Sequence, residues 1–282
     1  MPAFQLLSDL HLETDTSING TGYDTYTITP VAPFLILAGD IGELGSGEHY
    51  ETFLWRHIDL FQHIYIVPGN HEFHHTDYDT ALNVARAIQS NPKLQRKVTF
   101  LPCNTITLPE FNLTIIGATL YTYIPEAAAN AISARVKDFS NIKDWDISKH
   151  NDRHKAQLRF IRQCIAAAPA NHKVLVITHH APTFHNYCAP QYEGSEISNA
   201  FATEILNASG SESVATWEGV GKVKVWAYGH THYCTDWMWS PAAEDAGRLK
   251  MEGIHIVSNQ RGYVRKGTES GVGFNPLFTF DV

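Results

Sequence analysis

Short apolar runs punctuate the chain, and most of them end on a cluster of turn-forming and polar residues. Phe4 to Leu7 runs into Ser8-Asp9, Phe34 to Ala38 into Gly39-Asp40, and Ile64 to Val67 into Pro68-Gly69-Asn70-His71. Val174 to Ile177 meets Thr178-His179, and Val223 to Tyr228 meets Gly229-His230. Runs this short, rich in Val, Ile and Leu and apolar at successive positions, predict strands buried on both faces. Leu113 to Ile116, Ile254 to Val257 and Leu277 to Phe280 predict further strands, expected in a second sheet. Between the runs, Leu158, Ile161, Ile165 and Ala168 fall at helical spacing with Cys164 on the same side, which predicts an amphipathic helix over 152–168. Residues 48–61 and 77–90 also read as helices, and Pro92 and Pro169 follow two of these segments as stops. Strands alternating with helices imply an α/β architecture with a substantially parallel sheet. No repeat, low-complexity tract or linker interrupts the pattern, so residues 1–282 are expected to form one domain.

Composition narrows the partners. With 21 basic and 29 acidic residues the net charge is −8, which argues against an electrostatic grip on duplex nucleic acid or an anionic membrane. No apolar run approaches the ~20 residues that cross a bilayer, and no basic-then-apolar leader opens the chain. The four cysteines stand apart, with no Cys-x-x-Cys pair. They indicate neither a zinc-thiolate site nor a disulfide framework, and fit a reducing, cytoplasmic setting. Nothing in the sequence speaks to oligomeric state. One anomaly remains: 16 histidines against 21 lysines and arginines combined.

Many of those histidines stand at strand ends. Five strands finish in residues suited to metals or phosphates: Asp9-x-His11, Gly39-Asp40, Gly69-Asn70-His71-Glu72, His179-His180 and Gly229-His230-x-His232. Open α/β sheets bind ligands beyond the carboxyl ends of their strands, so these loops are expected to converge. The i, i+2 pairs Asp9/His11 and His230/His232 should project the same way from extended chain. The glycines before Asp40, Asn70 and His230 should let the backbone turn sharply. Imidazole and carboxylate without thiolate suit Mn, Fe, Zn, Co or Ni. The candidate ligands Asp9, His11, Asp40, Asn70, His179, His230 and His232 are too many for one four-coordinate ion and suit two ions sharing a carboxylate. With only Asp9 and Asp40 anionic, such a pair stays net positive, attracts an anion and acidifies water. Singly, each motif is weak, and a lone His-His or Gly-Asp is more often packing or a loop. Five in order, each at a strand end, are poorly explained by chance.

The set Ser8-Asp9-Leu10-His11, Gly39-Asp40, Gly69-Asn70-His71-Glu72, Thr178-His179-His180 and Gly229-His230-Thr231-His232 resembles the calcineurin-like metallophosphoesterases. The likeness spans residues 6–232, with Ser258-Asn259-Gln260-Arg261-Gly262-Tyr263 as an extension. It implies a four-layer α/β/β/α sandwich with two mixed β-sheets and a centre of two divalent or trivalent transition-metal ions, drawn from Mn, Fe or Zn. By motif position, Asp9, His11, Asp40 and His232 would hold one ion. Asp40, Asn70, His179 and His230 would hold the other, with Asp40 bridging and His180 as an alternative to His179. His71 matches the family's non-ligand histidine, which protonates the leaving alkoxide or stabilises charge on it, while hydroxide from the metal pair attacks phosphorus. The bland reading of His71 is a structural histidine beside Asp40.

Substrate class follows less directly. The protein serine/threonine phosphatase branch has an Asp-Arg pair shortly after its Gly-Asp and an arginine before Gly-Asn-His-Glu. Here Ile41-Gly42-Glu43-Leu44 and Pro68 occupy those places. Lacking that bidentate clamp for a dianionic monoester, the chain is expected to hydrolyse phosphodiesters, such as a nucleotide or another small diester. A broad phosphomonoesterase is the alternative, and a non-catalytic scaffold on the same fold a third reading that the complete ligand set opposes. Beyond Asn70 and His71, the expected substrate contacts are Tyr121, His150, His154, His180 and Arg261. The aromatic and basic stretches 119–154 and 183–193, with Phe184, Tyr187 and Tyr192, could stack a base and hold a phosphate. Core or rim positions for these residues carry at least equal weight, and Arg261 could instead pair with an acidic neighbour. His74 and His75 are expected at the mouth of the site or at a helix entry.

Overall fold

The chain is described by a computed structural model over residues 1–17, 20–208, 213–241, 253–265 and 268–282. Its main strands are β1 (Ala3–Leu7), β2 (Phe34–Leu37), β3 (His63–Ile66), β4 (Val98–Phe100), β5 (Cys103–Leu108), β6 (Leu113–Ala118), β7 (Lys173–Thr178), β8 (Val223–Tyr228), β9 (Thr235–Trp239), β10 (Ile254–Ser258) and β11 (Thr279–Asp281). The main helices are α1 (Gly47–His57), α2 (Tyr78–Ser90), α3 (Glu126–Arg135) and α4 (Ile147–Ala167). One sheet runs β11-β1-β2-β3-β4, parallel except for the antiparallel edge β11. The other runs β9-β10-β8-β7-β6-β5, with four parallel inner strands between two antiparallel edges.

Alternation along each strand builds three apolar layers. Phe4, Leu6, Ile36 and Tyr65 face Ile115, Leu175, Ile177 and Val225 between the sheets. On the opposite faces, Leu7, Leu37 and Ile66 pack against Tyr50, Phe53 and Leu54 of α1 and Ala81 and Ile88 of α2. Val174, Val176 and Trp226 pack against Ile161 and Ile165 of α4. Strands apolar at every position are therefore the signature of two mixed sheets flanked by helices, as expected. A fourth, smaller cluster holds Ile124, Ile132 and Ala200, with Val136, Ile197 and Phe201 against it. Among the described residues, no helix is long and apolar enough to cross a membrane.

Several boundaries differ from the sequence expectation. The helix expected over 152–168 begins at Ile147, because the Asp146 carboxylate accepts from the Lys149 amide and caps it. The helix expected over 48–61 ends at His57 and tightens into a 3-10 turn over Ile58–Leu60. Strands β4, β5 and β9 and helix α3 were not foreseen: the strands are sheet edges, β5 and β9 with part of each exposed, and α3 buries only Ile132. The strand expected over Leu277 to Phe280 in a second sheet is β11, which pairs with β1 in the first.

Register decides where the chemistry falls. Leu7 pairs with Leu37 and Leu37 with Ile66, while Ile177 pairs with Ala227. The carboxyl ends of these parallel strands are thus aligned within each sheet, and the loops that follow them meet.

Candidate metal centre

The loops after β1, β2, β3, β7 and β8 carry all seven candidate ligands to one place. Five of these residues have left-handed backbone: Asp9 (φ 53°), His11 (45°), Asp40 (51°), His230 (76°) and His232 (52°). Non-glycine residues seldom adopt this region, and it concentrates where neighbouring structure enforces it. The enforcing contacts are backbone bonds between loops: Asp9 N to Gly39 O at 2.9 Å, His11 N to Asp40 O at 3.0 Å and Gly229 N to His179 O at 2.9 Å. The i, i+2 pairs therefore converge through left-handed turns and not, as spacing suggested, from extended chain.

The glycines also act differently from expectation. Gly39 does take a positive φ of 89°, but Gly69 and Gly229 do not. At Gly69 the requirement is proximity, since an added Cβ would lie 2.2 Å from Asp40 Oδ1. Glu72 secures the same contact from below. Its buried carboxylate accepts from the amides of Asp40 (2.9 Å), Ile41 (2.9 Å) and Gly69 (2.7 Å) and from the Tyr50 hydroxyl (3.2 Å). Burial and then the Asp40 charge push the Glu72 pKa up to about 7, against the pull of those bonds.

Two groups of donor atoms result. In the first, His232 Nε2 lies 3.4 Å from Asp9 Oδ1 and 3.0 Å from His11 Nε2. In the second, His179 Nε2 lies 3.3 Å from Asp40 Oδ1, 3.1 Å from Asn70 Oδ1 and 3.2 Å from His230 Nδ1. The other Asp40 oxygen, Oδ2, is 3.9 Å from His11 Nε2, so this carboxylate stands between the groups. Asp9–His11–His232 and Asp40–His179–His230 each offer three ligand atoms within 4.8 Å of one another, a spacing that could hold a metal ion. Ring nitrogens and carboxylate oxygens aimed at shared points, without thiolate, fit borderline transition-metal cations. Burial opposes ionisation of Asp40, yet the charges of His179 and His71 hold it well below the usual carboxylate range. Burial, then the His179 charge, takes His230 down to about 3.

Three acidic or phenolic partners shape the surroundings. Asp138, buried, accepts from Asn70 Nδ2 at 2.8 Å and pairs with His74 Nε2 at 2.9 Å, which turns the Asn70 oxygen toward His179. His74 is therefore beneath the site and not at its mouth, whereas His75 is exposed and paired with Glu43. Glu13 Oε1 lies 2.9 Å from His71 Nδ1 and 3.2 Å from His11 Nδ1. Tyr263 stacks on His11, and its hydroxyl lies 3.1 Å from His71 Nε2. His71 Nε2 in turn is 4.0 Å from Asp40 Oδ2. Burial works against the His71 charge, but Asp40 and Glu13 raise its pKa to about 10. Glu13, opposed by burial and favoured by its bonds to His11 and His71, falls to about 2. Sequence reasoning passed over Glu13, whose signal was its place two residues beyond His11.

The remaining expected substrate contacts lie elsewhere. His180 is buried behind His179, its Nδ1 3.3 Å from the Thr119 carbonyl and its ring 4.1 Å from that of His230; Nε2 of His179, not of His180, joins the donor cluster. Tyr121 is fully buried between Trp145 and His150, in the apolar layer under the helices. The His154 Nδ1 bonds the Tyr121 carbonyl, and the ring faces a separate groove beside Lys155 and Arg159. Arg261 is held by Glu269 (2.9 Å), Asp15 (3.0 Å) and the Leu10 carbonyl (3.3 Å), so it pairs with acidic neighbours and does not reach the crevice. None of these side chains lines the crevice over the donor groups, because packing and ion pairs claim them first.

His150 makes a stability prediction. Burial holds its pKa down to about 4, against an ordinary 6.5. Above pH ~6.5 both folded and unfolded states carry a neutral ring. Between there and pH ~4 the unfolded chain takes up a proton that the folded chain refuses, so stability falls as pH falls, by up to roughly 3 kcal/mol from this group. Denaturant titrations of wild type and His150→Gln at about pH 7 and pH 4.5 should show a difference that shrinks on acidification. Parallel pH dependence in the two proteins would mean that the ring titrates normally.

A crevice of about 280 Å³ opens above the donor groups, floored by Asp40, Asn70, His71, His230 and His232 and walled by Arg135, Val136, Lys137, Ile197, Phe201 and Tyr263. Arg135 is ion-paired with Glu196, and Lys137 is exposed on the wall. These cations stand on the upper rim, not among the ligand atoms.

Comparison with known proteins agrees with this layout. The family model for calcineurin-like phosphoesterases matches residues 5–234. An uncharacterized protein of Acanthamoeba polyphaga mimivirus is 27% identical over 304 residues, covering 100% of this chain and 97% of that protein. The crystal structure of phosphopantetheinyl hydrolase from Mycobacterium tuberculosis matches with a TM-score of 0.61 and 17% identity, covering 98% of each chain. At that identity the structural likeness establishes the fold.

Proposed function

Because this chain belongs to the calcineurin-like phosphoesterase family, in which metal ions assist phosphate-ester hydrolysis, we propose that it is a phosphodiesterase with a two-ion centre. The observation that carries this reading is Asp40, the carboxylate lying between the two donor groups, within 3.3 Å of His179 and 3.9 Å of His11. Asp9, His11, Asp40 and His232 would hold one ion; Asp40, Asn70, His179 and His230 would hold the other. Bound there, ions of the Mn, Fe or Zn class supply Lewis acidity toward the phosphoryl oxygens and acidify water.

The chain's own side chains do the rest. His71 presents Nε2 toward Asp40 and is the acid for the leaving oxygen. Glu13 fixes its ring by binding Nδ1, and Tyr263 closes the other side. Asn70 is kept oxygen-inward by Asp138, a positioning role.

Diester preference is supported by the cation inventory. Arg261 is held away by Asp15 and Glu269, Arg135 pairs with Glu196 at the exposed rim, and Lys137 is a single point charge on the wall, so no guanidinium stands among the ligand atoms as a bidentate clamp for a dianionic monoester. Purified protein supplied with manganese is expected to turn over bis-p-nitrophenyl phosphate with a kcat/KM at least about tenfold above that for p-nitrophenyl phosphate. Exhaustive chelation should abolish both rates and added metal restore them. Monoester preference would overturn the diesterase assignment, and full activity after chelation would overturn the metal centre.

A further inference from the structure

The crevice has a neighbour. A cavity of about 260 Å³ adjoins it, with Ile197, Phe201 and Thr231 lining both spaces. Its remaining lining includes Tyr187, Tyr192 and Ser198, and among the described residues no charged side chain contributes. Phe201 joins the two spaces: its ring stacks on His230 at 5.0 Å, on the floor of the crevice, and also lines the cavity.

We infer that this cavity receives the second arm of the diester, and that the arm is a flat, uncharged aromatic ring such as an aryl group or nucleobase. The inference rests on the diesterase reading and adds the substrate class. A charged arm would lose hydration there without gaining a partner. Three aromatic side chains in so small a space offer ring faces, against which planar groups stack by roughly 1–3 kcal/mol. The wall hydroxyls are already bonded, Ser198 Oγ accepting from the Tyr187 hydroxyl at 2.9 Å and Thr231 Oγ1 from the Gln260 amide at 3.1 Å, so ring faces are what the cavity offers. The volume is below that of a site for a drug-sized ligand, typically ~300–1,000 Å³, and suits a single ring system. A phosphorus over the donor groups would have one ester oxygen directed at His71 and the other at the wall shared with the cavity. The ring arm is thereby the one that stays, and the leaving group is the other.

The test uses the full-length, manganese-loaded protein and p-nitrophenyl diesters that differ only in the retained arm: methyl, hexyl, phenyl and thymidine-5′. The phenyl or thymidine ester should exceed the methyl ester in kcat/KM by about tenfold, mainly through KM. Thymidine ahead of phenyl identifies a nucleobase, and the reverse order a simple aryl group. Hexyl equal to phenyl would overturn the ring assignment. Tyr192 is 63% exposed, so Tyr192→Ala is expected to fold; it should pull the aryl-to-methyl ratio toward one, as should Ser195→Trp by filling the cavity. Calorimetric titration with benzyl and methyl esters of methylphosphonic acid separates binding from turnover. If no diester is hydrolysed, the diesterase reading falls, and this titration alone decides the cavity. Tighter benzyl binding that Tyr192→Ala removes supports it; equal affinities overturn it.

Discussion

Asparagine in place of Asp40 is expected to lower diester hydrolysis by roughly three orders of magnitude while leaving the fold intact. The side chains are nearly isosteric, and the Glu72 bonds to the Asp40 and Ile41 amides do not involve the carboxylate. What disappears is the charge between the donor groups. Asp40 Oδ1 faces His179, Oδ2 faces His11 and His71, and no second buried carboxylate stands between the groups among the described residues. Elemental analysis should therefore show fewer than two metal equivalents in the variant, alongside an unchanged circular dichroism spectrum. Two equivalents with near-normal turnover would remove the bridging role on which the two-ion proposal rests.

The second large effect concerns the leaving group. His71→Ala should retain its metal yet lose about 10²–10⁴-fold in kcat on an unactivated alkyl diester, the range of a general acid. With p-nitrophenolate as leaving group, which departs without a proton, the loss should be much smaller. Glu13→Gln should fall between wild type and His71→Ala on the alkyl ester, because it leaves the ring in place while removing the charge at Nδ1. Equal losses on both esters would place His71 in binding or structure and not in proton transfer.

Much of this site was legible because its logic is local. Each ligand lies within four residues of a strand end, and a run such as Phe34 to Ala38 followed by Gly39-Asp40 announces both strand and loop. Other features depend on partners distant in the chain. Arg261 meets Asp15 across 246 positions, so its pairing had no sequence signal. Tyr121 and His150 belong to a stretch rich in polar and aromatic residues, and composition alone could not say that both are buried, Tyr121 in the layer it shares with α1 and α2. Glu13 stands one step beyond the Asp9/His11 pair, and its partner His71 lies 58 positions away. Helix α3 buries Ile132 alone, too little for an apolar stripe, and its place is set by residues 197–201, far along the sequence.

That last arrangement has a consequence for how relatives of this protein diverge. The reactive floor is fastened to the strand ends by main-chain bonds and by Glu72, whereas the walls formed by α3 and residues 197–201 rest on their own small apolar nucleus of Ile124, Ile132 and Ala200. Exchanges at Ile124 or Ile132 reshape the entrance, and they meet the floor at His230 alone among the ligands, through its bond to the Ala200 carbonyl at 3.3 Å and its stacking on Phe201. New selectivities can thus arise by drift in the superstructure while the reaction it serves is inherited unchanged.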